Sequence, residues 1–376
     1  MRFQRDAPLV LIGAIAVTVA SVTVIADRLF GGMTASVEDS QFELMRSILT
    51  FNLRGAENRA LARAEMIADL PAARAAFAAR DRAKLLADYG DMFRVQKEKH
   101  GVDQAQFHIP PAVSFLRLHS PEAHGDDLTA FRPMVVEVNR DRVARKGFAI
   151  ARGGPAIFGV VPVLDPAGEH TGSFEFGIDF AGVLDSLKAA YGLDMALYVE
   201  EVPLRKFALG LSGDVLGEQN RLGRYMRVHS TNTALVRELV TATDLAAGKD
   251  THYTRDAFGL PYGVVLVPLR NAAGEPLGMI AMARDFSSWR AASRRTMVWL
   301  FLVAVFAIVI LAGVVRVVVR GFVLRPLRAL DEGFAALAAG DRERRVAVDG
   351  FCDEVQALAR HHERLRTDGA AGREGQ

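Results

Sequence analysis

The chain of 376 residues contains a single cysteine, Cys352, which lies near its C-terminus. One cysteine excludes a disulfide framework, a c-type haem attachment and a thiolate zinc site, so any folded domain must be held by the packing of its core. The formal net charge is only +2, without the basic excess of a nucleic-acid-binding protein. The sequence also lacks a P-loop, an H-E-x-x-H zinc motif and a G-x-S-x-G elbow. We therefore expect no catalytic residue, no cofactor and no metal site.

Two uncharged apolar runs, residues 7–26 and 297–315, bracket most of the chain. As helices they would be about 30 and 28 Å long, close to the thickness of bilayer hydrocarbon. A cleaved signal peptide is the alternative for the first run, but its apolar core would be shorter, about 7–15 residues. Arginines flank the two runs at their outer ends: Arg2, Arg5, Arg316, Arg320, Arg325 and Arg328. The positive-inside rule then predicts a two-pass protein of the bacterial inner membrane with both termini cytoplasmic.

These runs give the domain boundaries. We expect a cytoplasmic N-terminus (1–6), a transmembrane helix (7–27), an extracytoplasmic region (28–296), a second transmembrane helix (297–316), a helical module (317–368) and a flexible tail (369–376). The tail is Gly-rich and has no apolar seam. We therefore expect the chain to act through a separate output partner.

The extracytoplasmic region contains an internal repeat. Residues 161–180 read VPVLDPAGEHTGSFEFGIDF, and residues 267–286, which lie 106 positions later, read VPLRNAAGEPLGMIAMARDF. Each copy is a β-prone run, a turn and a second β-prone run, which predicts an antiparallel hairpin. Two such hairpins indicate two similar modules in tandem. Before them, the sequence predicts one helix over 34–70 and another over 72–99.

This order of helices, tandem modules and membrane-spanning runs resembles that of the double Cache sensors of bacterial chemoreceptors and sensor kinases. The most specific part is FHIPPAVSFLRLHSPEAHGDDLTAFRPMVVEVN with ARGGPAIFGVVPV, within residues 107–163. The resemblance implies an α+β fold in which a long N-terminal helix carries two tandem PAS-like antiparallel-sheet modules. The distal module would cover about 72–180 and the proximal module about 181–288. The ligand would be a small molecule bound outside the cytoplasm.

The module after the second apolar run has two short heptad seams. Leu327, Leu330, Phe334 and Leu337 are spaced 3, 4 and 3, and Val355, Leu358, His362 and Leu365 repeat that spacing. Such seams can be buried only against partner helices, which predicts a homodimer. The segment closely resembles a HAMP signal-transfer module. The resemblance assigns signal transfer to Pro326, Leu330, Phe334, Gly340, Asp353 and Glu354. It departs from the usual pattern at residues 361–365, where His-His-Glu-Arg-Leu replaces the usual closing Asn and apolar residue.

Candidate ligand-binding residues lie in the first module. Alternation along residues 114–119 would place Phe115, Arg117 and His119 on one face of a strand, where they could bind a small organic anion. An internal salt bridge from Arg117 to Glu122, Asp126 or Asp127, or a solvated outer face, is the alternative. Arg132 and Arg152 are further candidates. For Asp179, whose repeat partner is Asp285, a shared structural role is the better interpretation.

We therefore expect a membrane receptor that senses a small ligand and signals through HAMP to a kinase, chemotaxis or cyclase partner. A solute-capturing accessory protein of a transporter or periplasmic enzyme is one alternative. A truncated chemoreceptor or sensor kinase is the other.

Overall fold

The computed structural model describes residues 3–272, 274–341, 343, 345–346 and 353–371. It contains two compact units. One is Ser36–Trp289, and the other combines Met1–Ala35 with Arg290–Gln376. Each unit is described by itself below.

A continuous helix, α1, runs from Phe3 to Ala68 and enters the larger unit. It is followed by α2 (Pro71–Ala78) and α3 (Arg82–His100). The sequence predicted one helix where α2 and α3 lie, and that prediction is wrong. Arg80 adopts a positive φ of 58°, which breaks the helix, and the Asp81 carboxylate caps α3 by accepting a hydrogen bond from Lys84 N. Gly101, at φ 66°, ends α3 as predicted.

The first module is a five-stranded antiparallel sheet with the order β2-β1-β5-β4-β3. Its strands are β1 (Val102–Ile109), β2 (Val113–Arg117), β3 (Arg145–Ala151), β4 (Gly154–Leu164) and β5 (His170–Asp179). The helix α4 (Pro133–Asp141) lies between β2 and β3 in sequence and packs on one face of the sheet through Met134, Val135 and Val138. The helices α1, α2 and α3 pack on the opposite face.

The second module is a six-stranded antiparallel sheet with the order β7-β8-β6-β11-β10-β9. Its strands are β6 (Asp194–Glu200), β7 (Arg221–Leu222), β8 (Tyr225–Ser230), β9 (Thr251–Ala257), β10 (Leu260–Arg270) and β11 (Pro276–Asp285). Its helices are α5 (Phe180–Tyr191), α6 (Glu201–Phe207), α7 (Thr233–Leu239) and α8 (Ala242–Ala246), with a 3-10 turn at Glu218–Asn220. Apart from β7, the strand order repeats that of the first module.

The predicted repeat forms two hairpins of the same design. Val161 pairs with Phe174 in the first and Val267 pairs with Ile280 in the second, so the strand register is preserved at the offset of 106. The turns also match, because the side chains of Asp165 and Asn271 each accept a backbone N–H at 2.8 Å, from Glu169 and Glu275.

The aspartate that ends each hairpin has the same role in both modules. Asp179 accepts from Gly182 N at 3.3 Å and Asp285 from Ser287 N at 2.7 Å, so each carboxylate bonds the start of the following helix.

One apolar stripe of α1 packs along both modules. Its buried members occur every three or four residues: Phe42, Met45, Leu49, Leu53, Ala56, Ala60, Ala64 and Ile67. The stripe narrows to alanine where α1 crosses β4. At that crossing a Cβ on Gly159 would lie 2.3 Å from Leu61 Cα and 2.5 Å from the Ala60 carbonyl carbon. The absence of a side chain at Gly159 therefore allows the helix and the strand backbones to touch.

The last helices of the chain are α9 (Ser287–Val318), a π-helical turn (Val319–Leu324), α10 (Arg325–Ala338) and α11 (Asp353–Ala371), and they belong to the smaller unit from Arg290 onward. Among the described residues, the continuous run Ser287–Ala338 is long and apolar enough to cross a membrane, and a shorter apolar stretch covers Gly13–Ala26. The two-pass topology therefore stays a prediction. Between α10 and α11, residues 347–352, which include Cys352, lie outside the described residues, as do the side chains of Asp353 and Glu354.

We expect Gly159→Ala to destabilise the larger unit by about 1–3 kcal/mol, because the new methyl group overlaps backbone atoms of α1 that cannot rotate away. Thermal unfolding of the purified protein measures the change. The matched control is Gly182→Ala in α5, where the new Cβ meets nothing within 4 Å. It should be neutral or stabilise by less than about 1 kcal/mol. Equal stability of the two variants would show that α1 does not lie against β4.

Candidate ligand-binding site

The face of the first sheet that is turned toward α4 carries buried polar side chains. Ala105 and Phe107 of β1, and Phe174 and Phe176 of β5, pack in the core on the helix α1–α3 side. Because side chains alternate along a strand, their neighbours face α4. We call the buried polar side chains of this face the polar patch: Gln104, Gln106, His108, Ser114, Arg117, Ser173 and Glu175.

Strand register makes the polar patch continuous. Gln106 of β1 is paired with Arg117 on β2 and with Glu175 on β5. His108 is likewise paired with Ser114 and Ser173. Residues directly opposite each other on neighbouring strands have their Cβ atoms about 4.5–5.5 Å apart. The polar patch is therefore two adjacent rows of polar groups that cross three strands.

A buried ion pair joins the polar patch to the start of α4. The Nη1 of Arg132 donates to Glu175 Oε1 at 3.0 Å, and its Nη2 donates to Oε2. The two side chains are 2% and 0% exposed. Burial alone raises the pKa of Glu175, but the charge and the two hydrogen bonds of Arg132, with His108 nearby, outweigh the effect of burial and hold this pKa at about 2. Glu175 is thus an ionised carboxylate whose charge Arg132 neutralises.

Several buried polar atoms of this region have no hydrogen-bond partner within the described part of the chain. They are Nε2 of Gln104, Gln106 and His108, Oγ of Ser114 and Nε of Arg132. His108 Nε2 lies 3.5 Å from Glu175 Oε1, too far for a good hydrogen bond. An unsatisfied buried polar group costs about 1–3 kcal/mol, so such groups are rare unless they serve a purpose. Three of these atoms, the two amide nitrogens and Arg132 Nε, can only donate. A bound molecule with acceptor oxygens would satisfy them.

The second module has no such patch at the matching positions of its hairpin. At the repeat offset of 106, Ser173 corresponds to Met279 and Glu175 to Ala281. Met279 and Ala281 both lie in an apolar core with Tyr198 and Leu239. The hairpin is shared by the two modules, but buried polar chemistry at these positions belongs to the first.

Arg117, a predicted site residue, belongs to the polar patch and already has a protein partner. Its Nη1 and Nη2 donate to the two carboxylate oxygens of Asp126 at 2.8 Å each, and Nη1 also donates to Ala123 O at 2.7 Å. Hydrogen bonds from Arg117 lower the pKa of Asp126. The structure thus contains the internal salt bridge that the sequence left open as an alternative. Any ligand contact of Arg117 would have to share its guanidinium with Asp126 or displace that carboxylate.

Phe115 and His119 lie on the other side of the sheet from the polar patch. The Phe115 ring is 5.4 Å from that of Phe77 in α2, and His119 Nδ1 lies 3.2 Å from Ala105 O. The prediction that these two residues share a face with Arg117 is wrong. Phe115 is an extra residue on β2, since His108 pairs with Ser114 and Phe107 with Leu116, and this bulge breaks the alternation.

Arg132 and Arg152, the other two predicted residues, have different surroundings. Arg132 is buried at the polar patch, with its guanidinium carbon 4.3 Å from the centre of the Phe158 ring. Arg152 is largely exposed, and its Nη1 lies 3.6 Å from Asp126. The three predicted arginines therefore all lie in or around the polar patch. Ligand binding by the five predicted residues stays a prediction.

Most of the polar patch was missed by sequence reasoning. A signal was present in β1, where Gln104, Gln106 and His108 alternate with Ala105 and Phe107. A second signal was Glu175, a single charge between two phenylalanines. Polar residues at every second position usually mark a solvated strand face. Only the tertiary structure shows that this face is buried.

A model of the double sensory domain of two-component sensor kinase (dCache_3) matches residues 44–289. The chain belongs to this family. The match covers both sheets, including the polar patch, and supports a signal-sensing receptor domain of the double Cache type.

Solved structures of low sequence identity are similar to this double sensory domain. The periplasmic domain of Vibrio cholerae LuxQ is 11% identical, with a TM-score of 0.38, over 66% of this chain and 99% of that chain. The sensor domain of the V. cholerae histidine kinase DctB is 9% identical, with a TM-score of 0.38, over 65% and 97%. The ligand-binding domain of the Campylobacter jejuni chemoreceptor Tlp3 in complex with L-valine is 10% identical, with a TM-score of 0.34, over 70% and 95%. No curated protein matches the chain at a significant level.

Arg117→Ala should lower the unfolding free energy by about 1.5–3 kcal/mol, because it removes charged hydrogen bonds whose donor is buried. A double-mutant cycle with Asp126→Ala, followed by thermal unfolding, should give a favourable coupling energy of at least about 1 kcal/mol. The control is Arg94→Ala, whose pairing with Asp91 is solvent-exposed and should contribute less than about 1 kcal/mol. An unchanged melting temperature for Arg117→Ala would instead favour a role confined to ligand binding.

The unfolding free energy should fall as the pH is lowered through the range in which the His119 imidazole becomes protonated. Burial lowers the pKa of His119 to about 4, against about 6.5 in the unfolded chain. The neutral ring is favoured in the folded state, so its contribution is complete above about pH 6.5 and is lost between about pH 6.5 and 4. His119→Gln should remove about 3 kcal/mol of this pH dependence, measured by denaturant unfolding at several pH values. Identical pH profiles for wild type and His119→Gln would contradict the buried neutral state.

Proposed function

We propose that this protein is a two-pass receptor of the bacterial inner membrane. It would bind a small molecule at the polar patch and signal the bound state of that site to a separate cytoplasmic partner. The observation that carries this proposal is the set of buried, unpartnered polar atoms on one sheet of a double sensory domain. The second module lacks the corresponding acidic residue, which supports the first module as the ligand-binding one.

The ligand we propose is an organic anion. Its carboxylate oxygens would accept hydrogen bonds from the amides of Gln104 and Gln106 and from Arg132 Nε. Arg132 and Arg117 are each neutralised by a carboxylate, so neither offers an uncompensated positive charge. The anion would therefore be held mainly by neutral donors and by sharing Arg117 with Asp126, with Arg152 close to the same carboxylate. Exchange of one carboxylate for another at Arg117 would keep the charge balance of the region.

The transmembrane assignment extends this proposal. Helices at residues 7–27 and 297–316 would anchor the sensory domain outside the cytoplasm, and both termini would be cytoplasmic. The apolar helix Ser287–Ala338 and the apolar stretch Gly13–Ala26 support this topology.

Signal transfer would follow from a HAMP module in a homodimer. Leu330 and Ala359 are buried together, with Phe334 and Val346 packed against them. The buried ring of His362 meets Phe334 edge-on at 4.9 Å. Pro326 opens α10 and Gly340 follows it at φ 88°. In a dimer these seams would form a four-helix bundle with two packings between which ligand binding selects. The chain would act as a receptor with no catalytic step of its own, and a kinase, chemotaxis protein or cyclase would supply the output.

Gln106→Leu tests the ligand site without changing any charge. It removes a buried donor for which the described residues provide no partner, so the free protein should be as stable as wild type or more stable. Affinity for the ligand should fall by about tenfold or more, because a charge-assisted hydrogen bond of about 1.5–3 kcal/mol is lost. A screen of carboxylates, amino acids and phosphates by thermal shift on the purified protein would identify the ligand. Calorimetry would then measure its affinity.

The control is Gln219→Leu, an exposed position in the second module, which should leave the ligand affinity unchanged. A stabilising ligand that binds wild type and Gln106→Leu with equal affinity would place the binding site elsewhere. If no compound in the screen stabilises the protein, the proposal that it binds a small organic anion is wrong.

A further inference from the structure

A cavity of about 290 Å³ lies where the two modules of the larger unit meet. Its wall is built from four segments: the chain leading into α4, strand β3, helix α6, and the β10–β11 hairpin. The first two segments belong to the first module and the last two to the second. This volume is at the lower end of the range typical of small-molecule sites, about 300–1,000 Å³. The polar patch is a separate set of residues, and of the residues around it only Arg132 also lines this cavity.

The cavity has an aromatic wall. Phe131 of the first module and Phe207 of the second are stacked, with ring centres 4.6 Å apart and an interplanar angle of 14°. Phe148 of β3 also lines the cavity. Faces of aromatic rings carry partial negative charge and attract a cation that lies within about 6 Å of the ring centre. Phe207 already has a cation over its ring, since Lys206 Nζ lies 5.1 Å from the ring centre. Phe131 and Phe148 are therefore the rings available to a positively charged ligand.

The charged residues that line the cavity also favour a cation. Among its described residues, Arg132 and Glu275 are the charged ones. Glu175 neutralises Arg132 through a buried bidentate pair, so Arg132 does not oppose a cation. Glu275 is exposed, and one of its carboxylate oxygens accepts from Asn271 Nδ2 at 2.8 Å. Asn271 is a neutral amide, and no cation among the described residues forms a salt bridge with Glu275, so its negative charge is available to a ligand. A carboxylate can also accept several hydrogen bonds.

We propose that this junction cavity binds a small organic ammonium ion, with Glu275 as the counter-charge and with Phe131, Phe148 and Phe207 around the apolar body. The ligand would be a primary amine with one aromatic or branched group, which is the size that 290 Å³ accommodates. It would touch both modules at once and stabilise their contact at the Phe131–Phe207 stack. This site is independent of the polar patch and would stand if the patch bound nothing.

Three probes of the same size and different charge test the site: 2-phenylethylamine, 2-phenylethanol and phenylacetate. Each would be titrated into the full-length protein in lipid nanodiscs by calorimetry, with empty nanodiscs to subtract partition into lipid. We expect the amine to bind at least about tenfold more tightly than the alcohol, and phenylacetate not to bind at the junction. Equal affinity of the amine and the alcohol would overturn ammonium recognition, as would the absence of amine binding.

Glu275→Gln should reduce the affinity for 2-phenylethylamine to that for 2-phenylethanol, because only the counter-charge is lost. The repeat supplies a matched control in Glu169→Gln. Glu169 occupies the same turn position 106 residues earlier, is exposed, and does not line the cavity. This variant should bind the amine as wild type does. A second variant, Ala272→Phe, fills the cavity from the hairpin side and should abolish amine binding while Glu275 is kept. Unchanged amine affinity in both Glu275→Gln and Ala272→Phe would show that the amine binds elsewhere and would overturn the proposal.

Discussion

The packing of one helix stripe along two sheets is the constraint on which the larger unit depends. The buried residues of α1 from Phe42 to Ala60 share a core with residues of both modules, including Ile157 of β4 and Ile280 of β11. The stripe changes from large side chains to alanine along its length, and α1 approaches β4 most closely where Gly159 carries no side chain. Because both modules pack on the same helix, a displacement of one module relative to α1 must also be accommodated by the other.

Charge in the buried region is balanced in pairs. Arg132 with Glu175, and Arg117 with Asp126, each join an arginine to a carboxylate through two hydrogen bonds. Removing one member of such a pair leaves a charge without a partner, which is costly when that charge is buried. The neutral amides of Gln104 and Gln106 carry no such constraint, and their nitrogens are among the buried atoms that have no hydrogen-bond partner in the described part of the chain. The region is therefore electrostatically stable by itself and still holds hydrogen-bond capacity for a bound molecule.

The two modules share a backbone framework but differ in the side chains on one sheet face. The hairpin register and the turn hydrogen bonds are the same in both, because they depend on backbone geometry and on one Asp or Asn side chain in each turn. The sheet face is not under that constraint, so Glu175 of the first module is replaced by Ala281 in an apolar core of the second. The two modules therefore share a backbone framework and differ in the chemistry of one sheet face.

The sequence by itself determined the elements that depend on local patterns. The repeat at an offset of 106, the helix before the first sheet and the end of α3 at Gly101 follow from local sequence patterns. The matching places of Asp179 and Asp285 in the repeat predicted a shared structural role, and the structure shows that this role is helix capping. The tertiary structure decided which groups are buried and which atoms they meet. A bulge in β2 turned Phe115 away from Arg117, and the loop after β2 brought Asp126 to the Arg117 guanidinium. Tertiary packing turned the alternating polar strand β1 into part of a buried polar patch, because burial depends on distant residues that no local pattern contains.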